Sequence, residues 1–288
     1  MVTPRHPIFP YLALGVGVLG LSLSALFVRW STAAGVVTTF YRMGLAGLFL
    51  TPFYLRQPVK NRVPPVLLLV PILGGVFAAF DHATWSTAIG LTRVANATLL
   101  NNTAPIWVGL VAWFIFRERL KKIFWAGLAL TMGGAVIVLG SDAIKQPSLS
   151  WGDLIALASG LFYAAYYLVT QRGRRSLNAL SYIWVADLTS CVTLLAISLA
   201  FRLPLSGFPP STYLAFLGAA LFSQVAGHLS LSYALGILPA SVVAPTMIAQ
   251  PVLTALLAIP LLGEALQPGQ WIGGICVLAG IYIVNRSQ

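Results

Sequence analysis

The chain has 288 residues, of which 58% are hydrophobic and only 8% are charged, and its mean hydropathy is +0.88. A soluble domain carries roughly 25% charged residues, so this composition excludes a water-soluble globule. The net charge of +11 would suggest nucleic acid as a partner of a soluble protein, but here the basic residues lie in short runs between apolar segments. Such runs set membrane topology, so we expect a polytopic membrane protein that binds no nucleic acid.

Apolar runs of about 20 residues, enough to cross a hydrocarbon core of about 30 Å, divide almost the whole chain. The first run follows Arg5 and His6 as in a signal peptide, but its length and the further spans favour an uncleaved helix. The sequence predicts ten transmembrane helices at 10–28, 36–55, 66–88, 94–116, 122–140, 151–170, 179–200, 211–234, 240–262 and 269–286. Most of the 17 Lys and Arg residues fall on the side of the N-terminus, which predicts that both ends are cytoplasmic.

The chain also repeats itself at an offset of 146 residues, the separation between His82 and His228. The same offset aligns Gly90 with Gly236, Pro105 with Pro251, Glu118 with Glu264, Trp125 with Trp271, Gly127 with Gly273, and Gly134 with Gly280. This predicts two five-helix copies, residues 1–145 and 146–288. An odd number of helices inverts the second copy, an arrangement that secondary transporters use to alternate access to a midplane site.

The residues after the fourth and ninth helices carry a family resemblance. The second copy reads Leu-Leu-Gly-Glu-Ala-Leu over 261–266, then Trp271, Gly273, Gly274 and Gly280, and the first copy has Arg117, Glu118, Trp125 and Gly127. This pattern resembles the EamA-type repeat of the drug/metabolite transporter superfamily, although Arg117 replaces a usual small residue. Within it, the chain most resembles the YddG group of aromatic amino-acid exporters. The resemblance implies a ten-helix carrier in the bacterial inner membrane.

Ionisable groups inside spans are functional candidates, because each costs about 2.5–3.5 kcal/mol to insert at the bilayer centre. The candidates within the predicted spans are Arg42, Asp81, His82, Asp187 and His228. Arg42 and Asp187 lie at matching depths in repeat-related helices, so they could form a buried ion pair or each face a polar cavity. The histidines could line a common cavity or be hydrogen-bonded core residues. Glu118 and Glu264 lie at helix ends, which favours a cap or loop contact over proton carriage.

Polar side chains also precede the prolines of the fourth and ninth helices. A proline can kink a helix, so Pro105 and Pro251 are candidate hinges, and the polar groups are candidate substrate contacts or helix–helix contacts. Aromatic side chains inside spans can stack on an aromatic substrate or anchor the chain at the membrane surface. The predicted substrate-cavity residues are His82, Trp85, Asn101, Asn102, Tyr163, Tyr166, Gln224, His228, Thr246 and Gln250. The candidates for coupling or buried charge are Arg42, Asp81 and Asp187.

These patterns predict a secondary transporter that exports amino acids, aromatic or large neutral ones, from the cytoplasm by alternating access. The alternative is export of another small metabolite or drug. An enzyme is disfavoured because no nucleophile–base pair or catalytic motif is evident, and a channel because nothing repeats beyond two copies. We expect no cofactor and no metal site, since Cys191 and Cys276 lie singly in apolar runs. A monomer suffices to form a cavity, and either proton antiport or facilitated diffusion could drive transport.

Overall fold

The computed structural model describes residues 8–92, 94–139, 150–262 and 266–287, and all regular structure in these ranges is helical. The α-helices are α1 Phe9–Trp30, α2 Gly35–Leu55, α3 Leu69–Leu91, α4 Val94–Asn101, α5 Ala104–Phe114, α6 Lys122–Leu139, α7 Trp151–Arg174, α8 Ala179–Ala200, α9 Pro210–Gly218, α10 Leu229–Leu235, α11 Ala240–Met247, α12 Ala249–Leu262 and α13 Pro268–Arg286. Short 3-10 helices cover Val59–Asn61 and Pro65–Leu67, and a π-helix over Ala219–His228 joins α9 to α10.

Within the described residues, eight helical stretches are long and apolar enough to cross a membrane, and a ninth results if the bent stretch from Val59 to Leu91 is one span. The segment predicted at 94–116, which forms the short helices α4 and α5, is not among them. An all-helical chain with this many apolar helices agrees with a polytopic membrane protein. The number ten and the inversion of the second copy stay predictions.

Local sequence explains where several helices begin. Ser150 and Asp153 form a capping box at the start of α7, and the Asn178 side chain accepts a hydrogen bond from the Ser181 backbone at the start of α8. Proline occupies the first turn of α5, α9 and α13, where its missing N–H costs no helical hydrogen bond. These signals hold the helix ends that flank the interior of the bundle.

Glycine allows the closest helix contacts. Helices α6 and α13 run antiparallel, with Gly127 against Gly280 and Gly134 against Gly273. A Cβ atom on Gly134 would stand only 2.7 Å from the Gly273 carbonyl oxygen, so a larger residue would push the backbones apart. The two glycine-rich helices therefore touch through their main chains.

The remaining helices pack around the centre of the molecule. Helix α1 packs against the π-helix, α3 packs against α7, and α2 packs against α8. Helix α3 also contacts α8, and α2 also contacts the π-helix. As a result, α2, α3, α7, α8 and the π-helix surround one interior region, and the buried side chains of Arg42, Asp81, Asp187 and His228 lie there.

Candidate functional site

Four buried ionisable side chains converge on this interior region. Arg42, Asp81, Asp187 and His228 are each at most 4% exposed, although they come from four different helical segments. Arg42 interacts electrostatically with Asp187 and Asp81, and also with both His82 and His228. We call Arg42, Asp81, His82, Asn101, Asp187, Gln224 and His228 the polar cluster. It joins residues from both predicted copies.

Arg42 lies at the centre of the polar cluster. Its Nη1 donates to the Ser24 hydroxyl at 2.8 Å, and its Nη2 lies 2.6 Å from Nε2 of His82. Since a guanidinium carries only donors, His82 Nε2 must be the acceptor, which places the imidazole proton on Nδ1 and makes His82 neutral. Arg42 therefore interacts with Asp187 through space, and its described hydrogen bonds go to Ser24 and His82.

Each aspartate of the polar cluster is held by a side-chain amide from another helical segment. The Asn101 amide donates to Asp81 Oδ1 at 2.7 Å and to the Ser159 hydroxyl at 3.0 Å. The Gln224 amide donates to Asp187 Oδ1 at 2.6 Å. Because an isolated carboxylate is costly to bury, these amides are what permit both aspartates inside the bundle.

Tyrosines of α7 border the polar cluster. The Tyr166 hydroxyl lies 3.1 Å from Nδ1 of His228, and the ring centroids of Tyr163 and Tyr167 are 4.5 Å apart. Tyr163 is only partly buried, whereas Tyr166 is 2% exposed. Trp85, another predicted substrate-cavity residue, packs beside Ala88, Ala97 and Ala156. Of the predicted aromatic cavity residues, Tyr163 and Tyr166 therefore border the polar cluster and Trp85 does not.

The other predicted polar contacts lie in separate places. Asn102 donates to the Thr98 carbonyl of the preceding helix α4 at 2.8 Å. Thr246 bonds to the Val242 carbonyl and accepts from Asn285 at 3.3 Å. The Gln250 backbone carbonyl accepts from the Ser22 hydroxyl at 3.3 Å. These bonds support helices or join them, which is the helix–helix role that the sequence left open.

The candidate hinges coincide with helix breaks. Pro105 lies in the first turn of α5, directly after the break at Asn102 and Thr103 that ends α4. Pro251 lies in the first turn of α12, after α11 ends before Ile248. Both predicted helices are thus interrupted at the equivalent point of the two copies.

The EamA-like transporter family matches residues 9–140 and 150–286. The chain belongs to the EamA-like transporter family. It is 26% identical to a probable terminal-alkyne amino-acid exporter of Streptantibioticus cattleyicolor, over 94% of this chain and 85% of the relative. It is 26% identical to a probable amino-acid metabolite efflux pump of Salmonella typhimurium, over 80% and 79%. It is 23% identical to the uncharacterized transporter YwfM of Bacillus subtilis, over 80% and 76%.

A solved crystal structure matches this EamA-like transporter with a TM-score of 0.82 at 20% identity, over 96% of both chains. At that identity, the likeness bears on the fold alone. Together with the apolar helices, family membership makes the chain a multi-pass membrane transporter.

Three features of the transporter were not foreseen from the sequence. Ser24 and Ser159 bond to the polar cluster, but a serine inside an apolar run is too common to be singled out. The π-helix carries Gln224 and His228, and no residue pattern announces it, although such segments often mark functional sites.

Glu118 and Glu264 are the glutamates that the offset of 146 residues relates. Glu118 accepts a hydrogen bond from the Ser241 hydroxyl at 2.9 Å, beside the start of α11, where the helix dipole favours a negative charge. This contact agrees with the cap or loop role that its position favoured. Glu264 lies outside the described residues.

Proposed function

We propose that this transporter exports amino acids, aromatic or large neutral ones, from the cytoplasm by alternating access, and that the polar cluster with its tyrosines holds the substrate. The observation that carries the proposal is the convergence of Arg42, Asp187 and two histidines from both predicted copies in one buried region. Buried charge is costly in a membrane protein and usually serves a substrate or ion.

The chemistry of the cluster favours a zwitterion. It contains a guanidinium and carboxylates close together, so a ligand with both signs of charge can be bound without adding net charge to the interior. A nucleotide sugar would call for several buried cations, whereas Arg42 is the only arginine or lysine of the cluster. Tyr163 and Tyr166 offer ring surface to an aromatic or apolar side chain. Two relatives, a probable terminal-alkyne amino-acid exporter and a probable amino-acid metabolite efflux pump, also support an amino-acid substrate.

Helix packing supports alternating access by two inverted copies. At the offset of 146 residues, α1 corresponds to α7, and the π-helix corresponds to a part of α3. The contact of α1 with the π-helix therefore corresponds to the contact of α7 with α3, and both contacts are extensive. In the same way, the contact of Gly127 with Gly280 corresponds to the contact of Gly273 with Gly134. Such a two-fold relation is what allows one face to open as the other closes. We extend the proposal to cytoplasmic termini, a bacterial inner membrane and a monomer with its own cavity.

The test is uptake of labelled amino acids into liposomes that contain the purified transporter, with and without an imposed pH gradient. We expect phenylalanine, tryptophan, tyrosine or leucine to cross, and lysine and glutamate to be excluded. A response to the gradient would indicate proton antiport, and its absence facilitated diffusion. His82→Ala, which removes the partner of Arg42, should lower the rate in a well-folded protein. If no amino acid crosses, the substrate class is wrong, and other small metabolites and drugs become the candidates.

A further inference from the structure

Four buried polar atoms of the polar cluster have no hydrogen-bond partner within the described chain. They are Arg42 Nε, Asp187 Oδ2, Gln224 Oε1 and His228 Nε2. Their side chains are only 1–3% exposed. Buried polar atoms in folded proteins are almost always paired, so four in one cluster require a common explanation.

These atoms divide by chemistry into two sets. Asp187 Oδ2 and Gln224 Oε1 only accept hydrogen bonds, and they are adjacent because the Gln224 amide already binds Asp187 Oδ1 at 2.6 Å. Arg42 Nε carries one N–H and can only donate, because a guanidinium has no acceptor. His228 Nε2 can donate when its Nδ1 accepts from the Tyr166 hydroxyl. The cluster thus presents an acceptor pair with a negative charge, close to a cationic donor.

We propose that Asp187 and Gln224 bind the ammonium group of an α-amino acid while Arg42, with His228, binds its carboxylate. This inference rests on the proposed function and specifies it: the transporter recognises the zwitterionic head group, and the tyrosines tolerate various apolar side chains. An ammonium group has three donors and no acceptor, so it matches the two oxygens, and a carboxylate has only acceptors, so it matches the guanidinium.

The arrangement also explains why both charged groups of a substrate are needed. A ligand with one charged group would add net charge to a buried site and leave one set of atoms unpaired. Sites built to hydrogen-bond a substrate group strongly reject analogues that lack it. Selectivity should therefore depend on the head group more than on the side chain.

The first experiment uses purified wild-type transporter in nanodiscs and labelled L-phenylalanine. Unlabelled L-phenylalanine, 2-phenylethylamine and 3-phenylpropionate compete for the site. Loss of a charged hydrogen-bond partner corresponds to roughly 10–100-fold in affinity, so each analogue should bind at least about tenfold more weakly than phenylalanine. L-leucine, 3-methylbutylamine and 4-methylpentanoate form a second series, which should show the same order.

Variants then assign each charge to its residue. Asp187→Asn should weaken binding of phenylalanine and phenylethylamine but not of phenylpropionate, and Arg42→Gln should weaken phenylalanine and phenylpropionate but not phenylethylamine. Ser190→Ala is the matched control, because this buried serine lies one turn from Asp187 on α8 and bonds instead to the Gly75 carbonyl. It should bind all three compounds as the wild type does. Arg42→Lys replaces Arg42→Gln if the latter does not fold.

The outcomes separate this inference from the proposed function. If amino acids are transported but the analogues compete as well as phenylalanine and leucine do, head-group recognition is wrong and amino-acid export stands. Equal effects of Asp187→Asn on the amine and on the acid would also overturn it. If neither phenylalanine nor leucine binds or crosses, amino-acid export and this inference fall together.

Discussion

Asp81 and Asp187 are both buried aspartates inside the helical bundle, and each accepts a hydrogen bond from a side-chain amide of another segment. Around Asp81 the bonds continue, because the Asn101 amide also reaches Ser159, whose hydroxyl donates to the Ala156 carbonyl. None of these three side chains carries a buried atom without a partner in the described chain.

Around Asp187 the hydrogen bonds stop after one step. The second oxygen of its carboxylate and the Gln224 oxygen are both unpaired within the described chain. A fully paired buried network stiffens a protein, whereas a partly paired one is stable only if something else completes it. If the polar cluster holds the substrate as proposed, this difference predicts distinct roles for its two aspartates: Asp81 would hold α3, α4 and α7 together, and Asp187 would contact the substrate.

The strongest test of this difference compares Asp187→Asn with Asp81→Asn. Removing the Asp187 charge should lower the initial rate of amino-acid uptake roughly 10–100-fold, since a hydrogen bond to a charged group contributes about 1.5–3 kcal/mol. Asp81→Asn should lower it much less, because its contacts are internal. Uptake into liposomes at matched protein content measures both. Equal losses would show that the two carboxylates have the same role.

A second test asks whether the hydrogen bonds around Asp81 stabilise the helical bundle. Asn101→Leu leaves both Asp81 and Ser159 without their donor, and a buried group left unpaired costs about 1–3 kcal/mol. We expect a lower midpoint of thermal unfolding for the purified protein in detergent. Asn102→Leu is the control, because the hydrogen bond described for the Asn102 amide goes to the Thr98 carbonyl of the preceding helix α4. If Asn102→Leu lowers the midpoint as much as Asn101→Leu does, the hydrogen bonds around Asp81 do not stabilise the bundle.

Much of this arrangement follows from the sequence, and some of it does not. The cost of burying charge in a membrane singled out Arg42, Asp81, His82, Asp187 and His228, and the structure brings them together. Their partners were harder to predict, because helical spacing gives the face of a residue but not the helix that it meets. Asn101 was thus found in the cluster, while Trp85, packed against small residues of other helices, was not.

Backbone irregularity limits the prediction in another way. One regular transmembrane helix was predicted over 211–234, yet its part with Gln224 and His228 is a π-helix with a wider turn. The mechanical effect of proline predicted kinks near Pro105 and Pro251, and the structure has helix breaks just before both prolines, while their role as hinges stays a prediction. The π-helix has no comparable residue signal, so its side-chain directions could be read only from the structure.

The smallest loss of uptake is expected for a substitution at Tyr166, which borders the polar cluster. Tyr166→Phe removes the hydroxyl that lies 3.1 Å from His228 Nδ1, and a neutral hydrogen bond contributes about 0.5–1.5 kcal/mol. We expect uptake to fall about two- to tenfold, because His228 is then free to adopt either tautomer or to rotate. Tyr182→Phe makes the same change at a tyrosine that bonds to Thr170 outside the polar cluster, and it should leave uptake unaltered. A fall in uptake for Tyr182→Phe alone would place the sensitive tyrosine in the framework and would contradict a substrate-facing role for His228.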